Sequence, residues 1–146
     1  SALAAASLVP LFAATRVQVG HWADSNALFE HALAVTSDNM VAHNNLGQAL
    51  YLEGRTEEAI AHGLEVLRIK PDCAEVHVSL GVALGKVGRH AEAAEHFKQA
   101  LAIEPDSPVA LVNVGNVLVA EGRLDEAIED YRRALEIYEQ LAKSAR

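Results

Sequence analysis

Glycine recurs in this chain every 34 residues, at Gly20, Gly54, Gly88 and Gly122. A fixed period of that length restricts the fold to a stack of like units. Gly47, Gly81 and Gly115 keep the same spacing, with Ala13 one period earlier. Ala59, Ala93 and Ala127 form a third column, preceded by Ser25. A fourth reads Ala32, Val66, Ala100 and Ala134, each followed by leucine, while Pro71 and Pro105 close two units where Ser37 stands earlier. Chance does not bring this many columns into register.

Each unit reads as a helical hairpin. "AEVHVSLGVALGKV" carries apolar residues at helical spacing and stops at Gly88, where a left-handed residue can end a helix. "HAEAAEHFKQALAIE" then gives a second helix, ended by Pro105. First helices are expected over 40–53, 74–87 and 108–121, second helices over 55–70, 89–104 and 123–138. Gly81 and Ala93 are expected to face one another where two helix backbones cross, since bulk there would push the pair apart. A hairpin of this kind buries its remaining faces only by stacking on neighbours. Small residues suit such close packing: the chain is 51% apolar, yet holds only three Phe, three Tyr and one Trp.

Composition also excludes partners. A net charge of −8 repels phosphate backbones, so no nucleic acid is expected. The lone Cys73 rules out an internal disulfide framework and a cysteine-based zinc site. Seven histidines suggest a metal, but His43 and His77 share one repeat position and His62 and His96 another. No two stand at i, i+4 with a carboxylate, as a helical zinc site requires. No phosphate-cradling glycine loop and no nucleophile with a base at a specific spacing is present, so no metal, cofactor or catalysis is expected.

The pattern L-G-x-x-L, then G-R-x-x-E-A, then A-L-x-x-x-P, as in "NLGQALYLEGRTEEAIAHGLEVLRIKPD", resembles the tetratricopeptide repeat. Full copies span 40–73, 74–107 and 108–141, and a degenerate first copy lies within 1–39, where Gly20, Phe29, Ala32 and Leu33 are kept. Residues 142–146 form a polar tail. The resemblance implies an all-α, right-handed solenoid of antiparallel helix pairs. Two departures stand out. The family's early aromatic is His43, His77 or Leu111 here, and Gly63 replaces the large residue seen as Phe97 and Tyr131, which should loosen its unit. "LDEAIEDYRRALEIYEQLAKSAR" lacks the closing proline, so the last helix is expected to run to about Ala142.

In tetratricopeptide arrays the first helices line a concave groove and the second helices form the back. The first-helix stretches hold Glu53, Glu75, Lys86 and Glu121 as their only charges, against nineteen in the second-helix stretches. The resemblance thus implies a nearly neutral groove and a protein or peptide partner that is extended and largely uncharged. The groove residues expected from the register are Val41, Asn44, Asn45, Gln48, Tyr51 and Leu52, then Glu75, Val78, Ser79, Val82 and Lys86, then Val109, Val112, Asn113, Asn116 and Val119. Asn44 and Asn45 are poor mid-helix residues, so something must favour them there. Asn45 shares its register with Asn113, and Gln48 with Asn116; an amide offers both donor and acceptor to any peptide group. The alternative is a hydrogen bond within the repeat. A clamp for chaperone C-terminal carboxylates is disfavoured, because its places are taken by Pro10, Ala14, Asn45, Lys86 and His90.

The first fourteen residues, "SALAAASLVPLFAA", carry no charge and are too few to cross a membrane alone. They read as a buried cap or as the end of a span beginning upstream, the latter similar to junctions in bacterial multispan proteins with C-terminal repeats. That likeness makes the soluble tail of a membrane glycosyltransferase-like protein an alternative function. A self-assembly scaffold, paired through Leu3, Leu8, Val9, Leu11 and Phe12, is another. The sequence does not fix the compartment: a membrane tether in a longer protein and a cytoplasmic location are the alternatives.

Overall fold

The computed structural model describes residues 26–36 and 38–145. A helical segment over 26–35 leads into six helices: α1 (Met40–Leu52), α2 (Thr56–Ile69), α3 (Ala74–Lys86), α4 (His90–Ile103), α5 (Pro108–Ala120) and α6 (Leu124–Ser144). No strand occurs among the described residues. The expected readings of the uncharged N-terminal stretch lie outside them. Of the described helices, none is long and apolar enough to cross a membrane.

The same turn separates α1 from α2, α3 from α4 and α5 from α6. Gly54, Gly88 and Gly122 sit at φ of 83°, 83° and 77°, a left-handed conformation that only glycine adopts without strain. Around each, the next residue's N–H reaches back five residues: Arg55 to the Leu50 carbonyl, Arg89 to Leu84, Arg123 to Leu118. Those arginines then grip the first turn of the second helix. Arg89 binds Glu92 through Nε and Nη2, both at 2.7 Å, and Arg55–Glu58 and Arg123–Glu126 repeat the fork. Both partners are exposed, so each fork adds little stability.

Every helix pair in substantial contact is consecutive in sequence. The main core lies between α2, α3 and α4, where Ile60, Val66, Val76, Leu80, Leu84 and Phe97 are buried. A smaller cluster of Leu46, Leu50 and Ala59 receives Phe29 and Leu33 from the 26–35 segment. Asn26 Nδ2 also donates to Glu53 Oε1 at 2.7 Å, tying that segment to the end of α1.

An aromatic ring presses on the crossing glycines. A Cβ on Gly81 would stand 2.4 Å from Phe97 Cε1, and one on Gly115 2.6 Å from Tyr131 Cε1, so the ring is the nearest group that demands each glycine. Phe97 lies one helical turn beyond Ala93 on the same face, and its ring lies back over α3. Gly47 has no such ring. Its nearest neighbours would be His62 Cβ at 3.4 Å and the Ala59 carbonyl at 3.5 Å, because Gly63 occupies the ring's position.

Helix α6 continues past the expected end near Ala142 to Ser144, having no proline to stop it. Leu124, Ile128, Leu135, Tyr138 and Leu141 along it are 46–58% exposed.

Candidate binding groove

The first-helix face carries little charge. Within their observed bounds α1 and α5 contain no charged residue, and α3 contains Glu75 and Lys86. Asn39 caps α1, its side chain accepting from Ala42 N–H at 3.0 Å, which fixes where the asparagine pair falls along the helix.

A concavity of about 320 Å³ opens between α1 and α3. It gathers Asn44, Gln48, Leu52, Val78, Ser79 and Val82 of the expected groove set, along with Tyr51. Its remaining lining is His43, Gly47, Ala59, Gly63, Val76, Leu80 and Ala83. Sequence reasoning did not assign these seven to the site. The available signal was Gly63, the one position where the large residue of the other units is absent.

Other candidates lie outside the concavity. Val41 is exposed, Asn45 half-buried, and Lys86 places its ammonium 4.3 Å from the Tyr51 ring centroid. That cation–π contact holds the face's one lysine against the neighbouring helix. Val112 and Asn113 are half-buried, and Asn116 is exposed. Asn113 Nδ2 donates to the Val109 carbonyl at 2.8 Å, Asn116 Oδ1 accepts from Tyr131 Oη at 2.7 Å, and Ser79 Oγ donates to the Glu75 carbonyl at 3.0 Å. The amides of the last unit are thus engaged within the repeat. Asn44, Asn45 and Gln48 make no side-chain hydrogen bond to another described residue and keep both amide functions available.

The histidine columns turn out to be partners. His43 Nδ1 lies 2.8 Å from His62 Nδ1, and His77 Nδ1 2.9 Å from His96 Nδ1. His77 Nε2 donates to the Pro71 carbonyl at 3.0 Å, so a neutral His77 accepts at Nδ1 from His96. Burial, reinforced by the facing ring, holds His62 and His96 below the ordinary histidine pKa. Among the described residues no three metal-ligating side chains converge.

Residues 38–105 match one tetratricopeptide repeat family model and residues 78–142 another, so that together they span 38–142. Among solved structures, a crystal structure of MamA superposes with a TM-score of 0.78 at 23% identity, covering 87% of this chain and 74% of that one. MamA of MSR-1 gives 0.70 at 27% identity, with 85% and 71% covered. MamA from Desulfovibrio magneticus RS-1 gives 0.74 at 17% identity, with 85% and 70% covered. Likeness at 23% and 17% identity is one of fold. Comparison with curated proteins finds no match.

Proposed function

We propose a function on the premise that this chain belongs to the tetratricopeptide repeat family: it is a protein-interaction module whose first-helix face holds an extended, largely uncharged segment of a partner protein. The observation that carries the finer part is the pairing of a charge-free α1 with free amides beside the concavity. Asn44 and Gln48 line it and spend no hydrogen bond elsewhere among the described residues. An amide pair of this kind can both donate to and accept from a peptide backbone whatever its sequence. Charged segments are disfavoured, because no Asp, Glu, Lys or Arg lines the concavity and a charge buried there would find no counter-charge.

First helices in such an array lie about 10 Å apart, so the path from α1 to α5 is roughly 20 Å, which about six extended residues cover. The Asn44→Ala, Gln48→Ala double variant should fold normally, since neither side chain is hydrogen-bonded within the described structure. It should lose at least tenfold in affinity for uncharged peptides selected by the wild-type protein from a display library. Equal affinity in the two proteins would end the amide reading.

A further inference from the structure

Two of the three helix pairs fill the space over their first-helix glycine with an aromatic ring. Phe97 covers Gly81 and Tyr131 covers Gly115, and both glycines are buried. In the α1–α2 pair the ring is missing, because Gly63 stands in its register, and Gly47 is only half-buried. The next unit compensates in part. Leu80 leans toward Gly63, so that a Cβ there would lie 2.8 Å from Leu80 Cδ2. Leu80 does not close the gap, and the concavity of about 320 Å³ is what remains. Apolar cavities of about 150 Å³ already hold a benzene ring.

We propose that this concavity is a side-chain pocket that takes a phenylalanine of the bound segment, supplying from the partner the ring that the unit lacks. This rests on the groove reading above. The walls are apolar, from Val78, Val82, Ala59 and Leu80, and the amides of Asn44 and Gln48 are placed to hold the backbone on either side. Phenylalanine is favoured over tyrosine by the direction of entry. Tyr131 comes from the second helix and carries its hydroxyl out to Asn116 on the groove face. A ring entering from the groove points the other way, toward Ala59, Gly63 and Leu80, whose side chains hold no polar atom, while the buried His43 of the lining already faces His62.

The test uses the full chain and three capped nonapeptides of Gly, Ser and Ala, with a central Phe, Tyr or Ala, measured by calorimetry. Toluene serves as a separate probe, followed through the backbone amide shifts of Gly47 and Gly63. The Phe peptide should bind about tenfold or more tighter than the Ala peptide, with Tyr between them, as burial of one apolar side chain implies. Toluene should shift both glycines. Gly63→Phe, which installs the residue found at position 97, should abolish the Phe preference and the toluene shifts while leaving the weak binding common to all three peptides. Equal binding of Phe and Ala peptides overturns the pocket and leaves the groove standing. Toluene shifts without binding of any peptide overturn the groove reading and leave an apolar cavity. Neither response overturns both. If Gly63→Phe fails to fold, the peptide series and the toluene titration on the wild-type chain decide the matter.

Discussion

At the scale of single residues, glycines in one register carry different loads. Gly81 is pressed by the Phe97 ring, whereas Gly47 has its nearest neighbours at ordinary contact distance. Gly81→Ala should therefore lower stability by roughly 1–3 kcal/mol, the usual cost of overpacking. Gly47→Ala should raise it by about 0.5–1 kcal/mol, since alanine gains helix propensity where there is room. Urea unfolding of both variants checks the contrast; equal losses would mean that Gly47 is as tightly covered as Gly81. The histidine pairs add a pH dependence whose sign is fixed. Unfolded histidine titrates near pH 6.5, and His62 and His96 titrate lower when folded, so below that value the unfolded chain binds more protons and stability falls. Glu58, Glu30 and Glu65 around His62, and Glu92 and Glu95 around His96, oppose the depression, while Arg89 adds to it. Glu58, Glu65, Glu92 and Glu126 are held below the carboxylate range by arginines, and they give up stability only nearer pH 4. The unfolding midpoint should drop between about pH 7.5 and 5.5, and His62→Gln with His96→Gln should flatten that drop. An unchanged slope would show that the pairs do not titrate in this window. The repeat register put His43 with His77 and His62 with His96, but it could not reveal that members of different columns touch. That contact depends on how far the two helices of a pair roll against each other.

At the scale of helices, the turns were readable in advance. A glycine followed by arginine and then Glu three residues further on dictates both where the first helix ends and what the next one begins with. The observed starts and stops of α1 to α5 fall within a residue or two of the expected ones for that reason. Side-chain placement across the groove was less legible. Asn113 and Asn45 share a register, yet only Asn113 binds its own helix, since a rotamer choice separates them rather than a residue type. Helix α6 carries the clearest unpartnered face. Among the described residues Leu124, Ile128, Leu135, Tyr138 and Leu141 stand exposed in one apolar stripe along it. We propose that two copies of the chain meet along it, the stripe of one against that of the other. Sedimentation should show a dimer that dissociates on dilution through the micromolar range, and Leu135→Lys with Leu141→Lys should hold the chain monomeric. A wild-type chain that stays monomeric at about 100 μM would remove this contact, since any pairing stronger than roughly 5–6 kcal/mol would be visible there.

At the scale of the whole molecule, stability is a sum over neighbouring units rather than one cooperative core. The largest buried cluster joins α2, α3 and α4, and Leu84 in it is 1% exposed. Amide exchange should accordingly be slowest around Leu80 and Leu84 in α3 and fastest over the last two turns of α6, where nothing among the described residues is buried beyond Ala134. Uniform protection from α1 to α6 would contradict this nearest-neighbour organisation. The bounds of the described helices followed from the period, because each helix needs only its neighbours to bury its faces. That same arrangement makes the molecule a spring. Tension along it passes chiefly through consecutive helix interfaces, since these hold every substantial contact between the described helices. Compliances in series add, so a loosely filled interface yields more than its neighbours, and the concavity opens beside the pair whose ring is missing at Gly63. A partner that seats a side chain in that gap would do more than hold on: it would set the stiffness of the whole array.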